Sequence, residues 1–230
     1  SSLNVRGGDF RFRLDRDKFE NETGPGQFGQ DIDFYGNRFI TENSIPIQQM
    51  IIPWRYTHRH PYLPSTRSMK NISDHGDTMY QVSATPYWRR ERTIKRNKEF
   101  QEKKLNRVEY ERGRFTGSSG GTFYVGDKMP GLYGNFFIGE VAGNLAHRDV
   151  LKDNNDSAYF IAQRDASDQN SEFIYSKDTW FRPVNFTTAP DGYFYMLDFY
   201  RQHIETPVSI PEELQKDMDF KKGTDKGRIY

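Results

Sequence analysis

The sequence predicts an all-β chain of short strands and tight turns, and three observations predict it. Aromatic residues make up 15% of the 230 positions, with 18 Phe and 14 Tyr, side chains that suit the pleated, half-buried surface of a sheet. The 19 Gly and 11 Pro are spread along the chain as turn punctuation rather than gathered into one linker. One pattern then recurs three times: an alternating strand, a turn at Gly, and an aromatic strand ending in polar residues. The long Ala, Leu, Glu and Lys stretches of a helical bundle are missing.

The copies run from Phe28 to Asn43, from Gly121 to Glu140 and from Val184 to Asp198. Gly36-Asn37, Gly134-Asn135 and Asp191-Gly192 are turn pairs that supply positive φ between paired strands. Phe39, Phe137 and Phe194 fall at matching places in the strands that follow. The turn glycines are 98 and then 58 residues apart, whereas propeller blades repeat about every 40–50 residues. The second interval therefore reads as one blade, and the first as two blades or one with a large insertion. Radial repetition of four-stranded sheets leaves only short edges exposed, which makes a β-propeller the expected architecture. A β-sandwich with similar hairpins is the alternative.

Residues 1–230 are accordingly read as part of one propeller domain, with a long insertion or irregular blade at about 44–115. The first half of that stretch, with Pro46, Pro53, His58, His60, Pro61 and Pro64, reads as a long ordered loop. Its second half, Arg89 to Arg112, carries ten Lys/Arg against five Asp/Glu and reads as a solvated outer face or a docking surface. At the ends, Gly7 to Leu14 alternates like a strand with no preceding partner, and Gly227-Arg228-Ile229-Tyr230 stops as a new strand begins. Both predict a fragment of a larger protein.

Composition excludes several classes. A net charge of +1 gives no global attraction to nucleic acid. No apolar run reaches the length of a transmembrane helix. Without Cys there is no disulfide, no zinc–thiolate site and no covalent c-type haem attachment within this chain. Thr116 to Gly121 is glycine-rich but precedes a strand, so it is not a phosphate loop.

In a propeller, the loop entering each first strand and the loop leaving the second open on one face, where ligands bind. That places Gln27, Ser119 and Arg182 beside Glu42, Asn43, Asp198, Arg201 and His203. Arg182 could clamp a carboxylate bidentately or pair with Asp178 or Asp198. Arg201 and His203 could serve as anion ligand and proton shuttle, or staple their loop to a neighbour. Glu42, Asn43 and Asp198 offer oxygens to calcium or cap the loops. His58 and His60 have the i, i+2 spacing that puts two imidazoles on one face of a strand, although Pro61 favours a surface loop. His147 beside Arg148 reads as an exposed strand position.

These segments also carry a resemblance. Tyr35-Gly36-Asn37-Arg38-Phe39 with Glu42-Asn43-Ser44-Ile45-Pro46 resembles a recurring segment of a family of large secreted, membrane-bound dehydrogenases. So do Tyr124-Val125-Gly126-Asp127 with Ala142-Gly143-Asn144-Leu145-Ala146-His147-Arg148, and Trp180-Phe181-Arg182-Pro183-Val184-Asn185 with Pro190-Asp191-Gly192. That family, common in bacteria that degrade polysaccharides, is similar to the soluble pyrroloquinoline-quinone (PQQ) sugar dehydrogenases. The resemblance implies part of a six-bladed propeller, about half or more of its blades, in the periplasm, secreted or attached to the outer surface. It implies oxidation of a sugar or alcohol by PQQ, with calcium, and electron transfer to a c-type haem domain or subunit, for which the remainder of the polypeptide would be a partner. Arg182 matches an arginine-bearing loop that contacts the quinone, and Asn185, Ser119, Gln27, Arg201 and His203 are the further cofactor candidates. Two positions depart from the pattern. Pro25-Gly26 stands where an Arg-Asn pair holds the cofactor, and Ser44-Ile45 where a Gly-Pro helps bind calcium. The family's catalytic His belongs to a part of the propeller outside this chain. A propeller that keeps the fold but binds carbohydrate or a partner subunit without catalysis is the alternative.

Overall fold

A computed structural model describes residues 4–60, 62 and 67–230. The prolines at 61 and 64 of the expected long loop, and the first three residues, lie outside the described residues. The chain is mostly β, arranged as separate antiparallel sheets with no closed barrel among the described residues. Strand β1 (Asp9–Arg13) pairs with β2 (Lys18–Glu22), so the alternating start of the chain finds its partner downstream.

Three larger sheets follow, each entered at its first strand. The first has the order β3 (Gly29–Ile32), β4 (Arg38–Glu42), β5 (Ile45–Met50), β6 (Met69–Asn71). The second runs β7 (Ser118–Phe123), β8 (Phe136–Glu140), β9 (Leu145–Lys152), β10 (Ile161–Arg164), with β11 (Ile174–Tyr175) also paired to β9. The third is β12 (Pro183–Thr188), β13 (Phe194–Asp198), β14 (Arg228–Ile229). The three sequence repeats are the opening hairpins of these sheets. Their turn glycines, Gly36, Gly134 and Gly192, have φ of +83°, +75° and +84°, a region that costs side-chain-bearing residues strain.

One expectation changes. The stretch after Ser44 is not irregular throughout, because β5 and β6 complete the first sheet. The 98-residue interval is thus one sheet, with a short helix α1 (Trp54–Thr57) between β5 and β6, plus an insertion holding a longer helix, α2 (Tyr87–Glu102). The strand expected at the last residues is present as β14 (Arg228–Ile229). β14 pairs with β13, and Tyr230 exchanges backbone hydrogen bonds of 2.9 and 3.0 Å with Met196.

The core lies between successive sheets. Strand β8 is buried on both faces, which explains its unbroken apolar run: alternate residues point opposite ways. Phe136 and Ile138 join Phe39, Ile47 and Phe123 toward the first sheet, while Phe137 joins Phe186 and Met196 toward the third. Burying each such Phe contributes about 1.5–3 kcal/mol. The first strands run side by side at backbone contact. Gly120 N donates to Phe28 O at 3.1 Å, and a Cβ on Gly120 would lie 2.5 Å from Asn185 Cα.

Helix α2 starts just after Pro86 and contains no Gly or Pro over sixteen residues rich in Arg, Lys, Glu and Gln, a good helix-forming composition. It is not a wholly solvated outer face: Trp88, Arg89 and Thr93 are buried. Glu109 anchors it, accepting from Thr93 Oγ1 at 3.0 Å and Arg96 Nη1 at 2.8 Å. Asn97 and the Glu109 backbone exchange two further hydrogen bonds. Among the described residues, no helix is long and apolar enough to cross a membrane.

Candidate functional site

In the second and third sheets one acidic position organises the loops on a common face. At the end of β8, Glu140 accepts the amides of Thr116 (3.0 Å) and Gly117 (2.8 Å) on Oε2, and that of Ala142 (3.0 Å) on Oε1. Burial pushes this carboxyl up, against the three amides that favour its charged form. At the end of β13, Asp198 Oδ1 accepts the amides of Arg182 (2.7 Å) and Tyr200 (2.8 Å). In the first sheet the job passes to Gln27, whose Oε1 accepts the Asn43 amide at 3.1 Å.

Between these loops opens a cleft of about 760 Å³. Its walls combine loop residues of all three sheets (Phe28, Asn43, Thr116, Gly117, Ser119, Val141, Ala142, Val184 and Phe199) with Arg89 and Arg92 of α2 and the segment from Ile204 to Ser209. Phe28 and Phe199 are about half exposed. Arg89 Nη2 donates to Thr116 Oγ1 at 2.6 Å, and its buried Nε has no partner among the described residues. The basic stretch therefore supplies the cleft's cations, which the sequence reading missed. The available signal was the proline-led, glycine-free run that forms α2.

The expected site residues divide. Ser119 and Asn43 line the cleft, but the other candidates are not among its lining. Arg182 is 4% exposed, and its guanidinium donates to three backbone carbonyls: Arg201 O (3.1 Å), Val141 O (2.6 Å) and Gln202 O (3.0 Å). It staples the loop after β13 to the loop after β8, and pairs with neither Asp178 nor a ligand-facing space. Asn185 turns its Oδ1 onto the Phe186 amide. The Arg201 guanidinium lies over the Phe199 ring at 4.6 Å, and the His203 ring packs against Phe220, with burial lowering its pKa.

The oxygens proposed for calcium do not form a shell. Asp198 Oδ1 is taken by two amides, Asn43 is exposed on the cleft wall, and the Glu42 carboxylate makes no hydrogen bond among the described residues. Calcium takes six to eight oxygens. His58 stacks on Trp54 and His60 bonds the Tyr62 amide, so the pair shares no site.

His147 is fully buried rather than exposed. On β9, His147 and Asp149 share one face, and the loop after β6 brings His75 to them. His75 Nε2, His147 Nε2 and Asp149 Oδ1 lie 3.1–3.2 Å from one another. Glu172 Oε2 meets His147 Nδ1 at 2.7 Å, while its Oε1 accepts from Tyr80 N at 2.8 Å and Arg164 Nη2 at 3.0 Å. Burial opposes charge on His147, but the Asp149 and Glu172 carboxylates outweigh it and push its pKa up to about 9. Asp149 is held well below the usual carboxylate range: the imidazoles outweigh its burial. Only i, i+2 spacing marked this pair in the sequence, and nothing local pointed to His75.

A family model described as Domain of unknown function (DUF7133) matches residues 1–230. No curated protein matches. Among solved structures, one titled a crystal structure of glucose dehydrogenase is similar, at 14% identity and a TM-score of 0.34, over 83% of this chain and 69% of that one.

Proposed function

We propose, from the premise that the chain belongs to the DUF7133 family, that its three sheets are successive blades of a β-propeller and that the cleft at their loop face binds carbohydrate. The blade reading is supported by three meanders whose first strands lie side by side. The observation that carries the binding reading is the composition of the cleft. Two half-exposed Phe rings, Phe28 and Phe199, face a space edged by the planar polar groups of Arg89, Arg92, Asn43 and Glu205. Aromatic faces cover the C–H surfaces of a sugar, and planar donors and acceptors match its paired hydroxyls.

A second reading places dehydrogenase chemistry at the same cleft: a quinone-dependent oxidation of a sugar or alcohol in an exported protein that hands electrons to a c-type haem domain. The unpartnered Arg89 Nε favours it, as a donor that a carboxylated ligand would satisfy. Arg182 and Asp198, expected to hold PQQ and calcium, do not fit them, because both are already bonded to backbone. We derive no redox step from this chain.

Calorimetric titration of the full-length protein with neutral and uronic-acid oligosaccharides tests the proposal. Saturable binding that weakens about tenfold or more in Phe28→Ala and Phe199→Ala is expected. Absence of binding across the panel overturns it. Dye reduction after addition of PQQ and calcium, with a sugar, would establish the second reading.

A further inference from the structure

We propose that His75, His147 and Asp149 form a site for a divalent transition-metal cation, zinc being the reference ion, which ties the segment trailing the first sheet to the second sheet. The inference is independent of the carbohydrate cleft, whose lining contains none of the three.

Three potential ligand atoms converge. The two imidazole nitrogens and one carboxylate oxygen form a nearly equilateral triangle with edges of 3.1–3.2 Å. A cation held at about 2.0–2.2 Å sets neighbouring ligand atoms about 2.8–3.6 Å apart, across octahedral and tetrahedral geometries. Two nitrogens and a carboxylate are also the donor set that zinc and its neighbours favour over magnesium or calcium.

A hydrogen-bonded cluster accounts for less of the arrangement. Both imidazoles aim Nε2 at the same Asp149 oxygen, while the other, Oδ2, is equally buried and has no partner among the described residues. A cation draws all three lone pairs to one point and offers the second oxygen a ligand role. His147 has the support that metal-bound histidines use, while His75 Nδ1 is buried without a partner among the described residues. Glu172 fixes the His147 ring through Nδ1 and is itself held by Arg164 and the Tyr80 amide. Phe115 packs edge-on against His147, with ring centroids 5.3 Å apart. His147 and Asp149 are fully buried, and the side chain of His75 is 11% exposed. So closed a shell suits a structural ion rather than one that turns over substrate. The tie it makes is long in sequence, because His75 follows β6 while its partners lie on β9.

The test uses the full chain carrying His58→Ala and His60→Ala, stripped with a chelator, so that other imidazoles are absent from the neighbouring loop. Titration with zinc, and with cobalt(II) as a spectroscopic probe, should give one ion per chain, a visible cobalt band, and a rise in the thermal midpoint. Adding His75→Ala should lower zinc affinity by at least about tenfold to a hundredfold and abolish the band. X-ray absorption of the zinc-loaded protein should show two imidazoles in the shell, a readout that holds even where His75→Ala fails to fold. No saturable binding, a shell without imidazole, or undiminished affinity in His75→Ala overturns the proposal.

Discussion

Glu140 and Asp198 occupy the same place in successive sheets and make equivalent bonds. Each accepts the amide just before its own sheet's first strand, Gly117 or Arg182, and the amide two residues downstream, Ala142 or Tyr200. A single carboxylate thereby couples the loop entering a sheet to the loop leaving its second strand. Glu140 uses both oxygens, whereas Asp198 serves its two amides with one.

That difference predicts unequal costs. In Glu140→Gln an amide NH2 must face a backbone N–H, leaving a buried donor unsatisfied, at a cost of about 2–3 kcal/mol. Asp198→Asn can keep its oxygen on both amides and turn its NH2 toward the Tyr230 hydroxyl, which lies 3.5 Å from Oδ2, so it should cost about 1 kcal/mol or less. Urea unfolding of the two variants measures the gap.

Arg182 is predicted to behave as a structural staple. A lysine cannot reproduce a planar fork on three carbonyls, so Arg182→Lys should destabilise by about 2–4 kcal/mol. At temperatures where the variant remains folded, its carbohydrate affinity should stay close to wild type. A selective loss of ligand binding without loss of stability would instead identify Arg182 as a ligand contact.

Helix α2 should loosen in acid. Burial raises the Glu109 carboxyl, but hydrogen bonds and charges from Arg96, Arg92 and Thr93 outweigh it, so its folded pKa lies below the ordinary value. A depressed carboxylate contributes stability that is present above its unfolded pKa and is lost as pH falls through the folded one. Glu109→Gln should therefore cost about 1–2 kcal/mol near neutral pH. The difference from wild type should shrink as pH falls below the ordinary carboxylate range, as read from unfolding at a series of pH values.

Contact between the first strands predicts a contrast between two glycines. Gly120 has φ of +63°, and an added Cβ would meet Asn185 Cα at 2.5 Å and Val184 O at 2.6 Å. Gly120→Ala should cost about 3 kcal/mol or more through strain plus overpacking. Gly36, with φ of +83° and open space around it, should cost only about 1 kcal/mol as Ala. Thermal unfolding of the pair separates backbone preference from close approach.

The opening hairpins were legible because their cues are adjacent. Gly36, Gly134 and Gly192 mark turns through their own backbone freedom, and Phe39 and Phe137 mark the buried strands that follow. The common loop face was expected from propeller topology, and of the residues placed there Asn43 and Ser119 line the cleft between the loops. The roles of Arg182 and Asp198 were not legible, since their partners are backbone atoms of other loops and carry no side-chain signature.

By itself, then, the amino-acid order determined the mostly β class, the places where the chain turns, and which strand positions point inward. These depend on torsional preference and on period-two alternation, both set by neighbours along the chain. Only the tertiary structure decided that α2 lines the cleft at the loop face, that His147 is buried, and that His75 reaches it from the loop after β6. A side chain's charge state and available bonds depend on what surrounds it in space, and for these residues the surroundings come from segments far away in the chain.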